Sequence, residues 1–120
     1  MPLRCLLVDD NDAFLETASL LLEREGLTVV GVASSIAEAL RQHRALRPDL
    51  ILVDIGLGSE SGFTLARLLA CDDQDADVIL ISTGAEADYA DLIAESPAAG
   101  FLAKSELSVS RIGQILGHAS

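Results

Sequence analysis

Leu50-Ile51-Leu52-Val53-Asp54 is an unbroken apolar run that ends on a carboxylate and opens into Ile55-Gly56-Leu57-Gly58. A short run of Leu, Ile and Val bounded by turn residues reads as a strand covered on both faces, the pattern of a parallel sheet packed between helices. Asp54 then stands at the carboxyl end of a central strand. In open α/β sheets ligands bind beyond those ends, where neighbouring strands send their connections to opposite faces. Taken alone, an Asp after a strand is more often a turn residue than a reactive one, so the other apolar runs decide what Asp54 does.

Leu3-Arg4-Cys5-Leu6-Leu7-Val8 is a second such run and also ends on acids, Asp9 and Asp10, followed by Asn11 and Asp12. Phe14, Ala18, Leu21 and Leu22 recur at helical spacing, and Gly26 closes that helix. Residues 27–33 are rich in Val and alternate weakly, as suits a strand near the sheet edge. Ser35 and Glu38 have capping-box spacing and open a helix that carries Ala39 and Leu40 and ends before Pro48. After Asp54 comes a loop with Gly56, Gly58, Ser59 and Gly62, then a helix over about 63–70. Val78-Ile79-Leu80-Ile81 is the fourth run and ends on Ser82-Thr83-Gly84. A helix with Tyr89, Leu92 and Ile93 follows, and Pro97 lies beyond it. Gly100–Ala103 is a short last strand that ends on Lys104. Ser105 is the expected cap of the closing helix, with Leu107, Ile112, Ile115 and Leu116 as its apolar stripe.

Strands that alternate with helices this regularly imply right-handed crossovers and a five-stranded parallel sheet with helices on both faces, a doubly wound α/β domain. No repeat, linker or low-complexity tract interrupts the alternation, so residues 1–120 read as one domain. Half of the residues are apolar, which argues against disorder. Only 3% are aromatic, too few for a surface that stacks single-stranded nucleic acid. Acids outnumber bases by 19 to 8, a net charge of -11 that repels phosphate backbones and favours a cation or a basic partner surface. Direct nucleic-acid binding is therefore not expected. Cys5 and Cys71 show neither metal spacing nor a disulfide framework and read as buried or half-buried thiols. His43 and His118 lack ligand-type neighbours and read as solvent-facing, as does the acidic stretch 86–95. No signal peptide or membrane span is evident, and a reducing cytoplasm fits both that and the free thiols.

Four strand ends thus present Asp9 and Asp10, Asp54, Ser82 and Lys104 to one edge of the sheet. Crowded carboxylates repel, by about 4 kcal/mol for two unit charges ~4 Å apart at an effective dielectric of 20. A hard divalent cation relieves this, and Mg2+ commonly takes one or two carboxylates together with waters and phosphate oxygens.

Through Val8-Asp9-Asp10, Val53-Asp54, Ile81-Ser82-Thr83 and Phe101-Leu102-Ala103-Lys104 the whole chain resembles the receiver domain of two-component response regulators. The resemblance implies a flavodoxin-like strand order 2-1-3-4-5, which is carried over from the family and not read from spacing. It makes Asp54 the phosphoryl acceptor, fed by a sensor histidine kinase or phosphotransfer protein. A carboxylate nucleophile forming an aspartyl phosphate is sound chemistry for that role. Asp10 would bind Mg2+ directly, Asp9 through water, and the Gly56 carbonyl would join Asp54 as a further ligand. Lys104 would pair with the acceptor and then the phosphoryl group, and Ser82 would donate its hydroxyl to it. Ser82 and Phe101 would form the switch that carries phosphorylation to the surface of the fourth helix, fifth strand and fifth helix, where a phosphorylation-dependent homodimer is a further expectation. Such a domain is not an enzyme beyond catalysing its own phosphorylation and dephosphorylation.

The chain departs from the family pattern at Gly58 and Ser105, both commonly Pro, which implies a more mobile loop after Asp54 and no cis peptide after Lys104. An aspartyl-phosphate phosphatase is disfavoured because Gly56 stands where its general acid/base Asp is usual. A receiver-like interaction module that works without phosphorylation is disfavoured by the intact set of five residues. Ser120 follows the closing helix and leaves no room for a DNA-binding output, so the chain reads as a single-domain regulator or the receiver portion of a longer transcriptional regulator.

Overall fold

The computed structural model describes residues 3–71, 76–84 and 86–117. Five parallel strands form the main sheet: β1 (Arg4–Val8), β2 (Thr28–Ala33), β3 (Leu50–Asp54), β4 (Asp77–Ser82) and β5 (Gly100–Ala103), in the order β2-β1-β3-β4-β5. The order expected from the resemblance is the one observed. β2 is an edge strand, in keeping with its weak alternation. A two-by-two-residue antiparallel ribbon, Gly56–Leu57 against Glu60–Ser61, occupies what the sequence suggested was plain loop after Asp54.

The helices are α1 (Asp12–Arg24), α2 (Ile36–Leu46), α3 (Gly62–Ala70), α4 (Ala90–Glu95) and α5 (Val109–Leu116). Successive strand residues point to opposite faces, and the two cores divide accordingly. Leu6, Val8, Ile51, Val53 and Leu80 pack under α2, α3 and α4, whereas Cys5, Leu7, Leu50, Leu52, Ile79, Ile81 and Leu102 pack under α1 and α5. β3 is buried along its whole length because helices cover both its faces. The chain leaves β1 toward one face and β3 toward the other, which opens the crevice between their carboxyl ends.

Local chemistry explains most helix ends. The Asn11 side chain accepts from Phe14 N–H at 3.1 Å, and Ser35 Oγ accepts from Glu38 N–H at 3.2 Å. Arg47 ends α2 in the left-handed region just before Pro48. Ser105 does not cap α5: it lies in a 3-10 turn, Lys104–Glu106, and Ser108 Oγ accepts from Arg111 N–H at 3.1 Å instead. The delay lets Leu107 bury its side chain before the helix begins.

Two further expectations fail on helix periodicity. His43 is buried, not solvent-facing, because it continues the inward stripe of Ile36, Ala39 and Leu40 on α2. Cys71 is exposed, because it follows the inward positions Phe63, Ala66 and Leu69 of α3 and caps the helix off that stripe. Cys5 is buried, and burial pushes its thiol up to about 12, leaving no reactive thiolate near neutral pH. Asp88, Asp91 and Glu95 are exposed, as a solvated acidic face requires. His118 lies outside the described residues. Among those described, no helix is long and apolar enough to cross a membrane.

Gly62 begins α3 with its backbone against β3: its N–H donates to Ile55 O at 2.9 Å, and a Cβ there would overlap the Asp54 carbonyl. Backbone cannot swing aside as a side chain can. Gly62→Ala is expected to cost about 1–3 kcal/mol, read as a lower melting temperature with the fold retained by circular dichroism.

Candidate functional site

The parallel arrangement places the carboxyl ends of β1, β3, β4 and β5 on one edge, and the side chains beyond them converge. Asp9 follows β1, where its N–H donates to Ala33 O at 3.0 Å, and it is fully buried. Its Oδ1 accepts from Asn11 N–H at 2.9 Å. Asp10, next along, is exposed. Asp54, 8% exposed, closes β3, and its Oδ1 accepts from Gly56 N–H at 3.2 Å. Asp9, Asp10 and Asp54 each offer a carboxylate oxygen within 4.8 Å of the others.

Lys104, just past β5, reaches into this cluster. Its ammonium stands 2.6 Å from Asp9 Oδ2 and 3.3 Å from Asp54 Oδ2. It also lies over the ring of Phe14, 4.2 Å from the centroid. Ser82, buried at the end of β4, accepts from Gly84 N–H at 3.0 Å through Oγ. Ser82 registers against Ala103 and so stands beside Lys104 in the strand order. Phe101 is half-buried in the α2/α3/α4 core, which Tyr89 also joins. Of the residues singled out in the sequence, Asp9, Asp10, Asp54 and Lys104 form one cluster, Ser82 ends the strand between β3 and β5, and Phe101 lies one layer behind.

The electrostatics follow from this crowding. Burial raises the Asp54 carboxyl above its ordinary value; Gly56 N–H opposes the rise, the charge on Asp9 adds to it, and Lys104 opposes it. Burial pulls the Lys104 ammonium down, but the close ion pair with Asp9 and the charge of Asp54 outweigh it, and the net shift is upward. The donor set is all oxygen, two of the three carboxylates are buried, and among the described residues one ammonium, that of Lys104, is paired with them. That chemistry fits a hard divalent cation such as Mg2+.

Sequence reasoning missed two features. Gly58 holds a φ of +66°, a left-handed conformation closed to the Pro common at this position. Phe14, placed at helical spacing with Ala18, Leu21 and Leu22, packs half-buried at the margin of the α1/α5 core and also against Lys104, a contact the sequence does not indicate, while Leu15, Ala18 and Leu22 are the buried α1 residues. The i, i+3, i+4 rhythm of α1 fits either set; only the position of Lys104 separates them.

A family model described as the response regulator receiver domain matches residues 5–115. The chain belongs to the response regulator receiver family. This receiver domain is 31% identical over 103 residues to the response regulator GacA of Pseudomonas viridiflava, a match covering 85% of the chain and 48% of that protein. The chain spans about half the length of the curated relatives it matches. Among solved structures it resembles the signal receiver domain of the response regulator NarL from Mycobacterium tuberculosis, with a TM-score of 0.84, 28% identity, and 97% and 98% of the two chains covered. It also resembles a Burkholderia pseudomallei response regulator solved with a phosphorylated aspartic acid, a calcium ion and citrate, with a TM-score of 0.80 and 33% identity over 93% of this chain and 65% of that one. Receiver domains of this family serve two-component signalling and are in general not enzymes in their own right.

The raised Asp54 carboxyl has a stability consequence. An acid whose folded pKa lies above its unfolded value contributes stability below the unfolded pKa, and that contribution is lost as pH rises through the folded one. At neutral pH without metal the ionised Asp54 therefore weakens the fold. Asp54→Asn is expected to melt higher than wild type at neutral pH in chelator, each kcal/mol being worth roughly 2–8 °C in domains of about this size. The gap should close toward pH 3; a variant that melts lower at neutral pH would contradict the sign.

Proposed function

We propose that this receiver domain accepts a phosphoryl group on Asp54, with Mg2+, from a sensor histidine kinase or phosphotransfer protein. The observation that carries this reading is the Asp54 carboxylate at the end of the most buried strand, flanked by two further carboxylates and held by one ammonium. The Burkholderia relative's phosphorylated aspartic acid and calcium ion support it. Asp10 and Asp54 would hold the cation directly, Asp9 through water, with the Gly56 carbonyl as a further ligand. When bound, Mg2+ supplies positive charge that neutralises the carboxylates and the transferring phosphoryl oxygens.

The protein's own groups do the rest by position and charge. The Gly56 N–H and the Lys104 ammonium favour the ionised form of Asp54 against the opposing effect of burial, and the carboxylate oxygen is the nucleophile. That oxygen forms a bond to phosphorus as the donor's P–N bond, or P–O bond for a small donor, breaks. The electron pair stays with the leaving group, which takes up a proton. Lys104 lies close enough to Asp54 to follow the phosphoryl charge. Ser82 Oγ already accepts from Gly84 N–H, which leaves its own proton to donate to a phosphoryl oxygen. That contact would draw Ser82 inward and let Phe101 turn, altering the surface of α4, β5 and α5, through which a phosphorylation-dependent homodimer would form. A cytoplasmic location belongs to the same reading.

With a small phosphodonor and Mg2+, wild type is expected to gain one phosphoryl group by intact mass. Asp54→Asn should gain none, and Asp10→Ala should need far more Mg2+. Uptake by Asp54→Asn at the wild-type rate would remove the assignment. For the surface change, beryllofluoride with Mg2+ should shift amide resonances from about residue 86 to about residue 112. Ser82→Ala should lose most of those shifts while still binding Mg2+; shifts confined to the loops around Asp9, Asp54 and Lys104 would refute the coupling.

A further inference from the structure

An ammonium has three N–H groups, and at Lys104 two of its close partners are the carboxylates of Asp9 and Asp54. The third lies in the direction of carbon: the Phe14 ring, 4.2 Å from Nζ to centroid. An aromatic face carries negative charge density and attracts a cation set over it. We infer that Phe14 is a positioning residue for phosphoryl transfer, its ring taking the place of water as the third partner of the Lys104 ammonium and fixing where that charge stands. The inference rests on the proposed role of Asp54 as acceptor.

Three observations support it. Phe14 occupies the first turn of α1, where Asn11 caps the helix through Phe14 N–H, so its backbone is anchored beside the acidic loop. The Lys104 side chain is only 13% exposed. Little of it remains for water to hold, and the ring accounts for part of that shielding. Lastly, Leu15, Ala18 and Leu22 are the buried residues of α1, whereas Phe14 packs half-buried at the margin of that core with Lys104 over its ring. As an Asp54 oxygen bonds to phosphorus and the donor's bond breaks toward the leaving group, the negative charge moves outward from the carboxylate. An ammonium tethered only by Asp9 would swing to the more buried acid. The ring holds it between the two.

The test compares phosphorylation of the full chain by a small phosphodonor with Mg2+ in wild type, Phe14→Leu, Phe14→Tyr and a series with increasingly fluorinated phenylalanine at position 14. Fluorine drains the ring face of negative charge at nearly constant shape. Phe14→Leu is expected to lower the rate at saturating donor by about tenfold and Phe14→Tyr to stay within about twofold, as loss or retention of one partly buried cation–π contact implies. Across the fluorinated series the logarithm of the rate should fall steadily while the melting temperature holds, which a packing role would not produce. A second readout needs neither metal nor donor: the ε-methylene protons of Lys104 should be shifted upfield by the ring in wild type and return to ordinary values in Phe14→Leu. A flat fluorinated series, or an unshifted Lys104, in a protein that is phosphorylated on Asp54 would overturn the role of Phe14 alone. A wild type that takes no phosphoryl group on Asp54 would overturn the acceptor assignment and this inference with it.

Discussion

Two buried carboxylates share one ammonium, and the rest of the structure is arranged so that they can. Asp9 and Asp54 at the ends of β1 and β3 would repel by several kcal/mol if left alone in a low-dielectric crevice. Lys104 is the only cation among the described residues paired with either. It comes from β5, two positions from β3 in the sheet, so its side chain crosses a span of about 10 Å set by the strand spacing. The residue ending the intervening strand β4 is Ser82, small enough to leave that path open. Parallel strands are what bring residues 9, 54 and 104 to one edge; an antiparallel neighbour would have put one of them at the far end of the sheet.

The alternating apolar runs announced the sheet because each strand is covered on both faces and needs no polar side. The site was legible for the same reason: every one of its charged or hydroxyl groups sits where an apolar run stops. What escaped was set by contacts distant in sequence. Glu60 on the ribbon accepts from Ile36 N–H at the start of α2, and Glu25 after α1 accepts from Val109 N–H at the start of α5. No local pattern reveals a helix end capped from 24 or 84 residues away. At α5 the local cap is Ser108 rather than Ser105, and the Glu25 contact adds to it from outside the helix. His43 is a different kind of miss, since the inward stripe of α2 passes through it and its polarity outweighed the periodicity.

The doubly wound arrangement also splits the surroundings of the cluster between two cores. Phe14 belongs to the α1/α5 side, whereas Phe101 and Tyr89 belong to the α2/α3/α4 side. The charged groups stand at the seam. On the first side the partner of Lys104 is an α1 of 13 residues with an Asn cap and three buried side chains, a rigid support. A group that must hold an ammonium in place is well seated there.

The second side is built differently. α4 is six residues long, has no side-chain cap and contains no fully buried residue. Its start is preceded by a 3-10 turn, Glu86–Tyr89, and Tyr89 packs close enough to Gly84 that a Cβ there would stand 3.1 Å from the ring. Gly84 in turn donates to Ser82. Local stability follows buried apolar contact and satisfied backbone ends, and α4 is poor in both while β3 and β4 are rich in both. A displacement at Ser82 therefore meets stiff strands on either side and a weakly held helix ahead of it. On the proposed phosphorylation of Asp54, the cheapest response would run through Gly84 and Tyr89 into α4, so the unequal strength of the two faces, more than any single contact, would set the direction in which a change at the acidic cluster is felt.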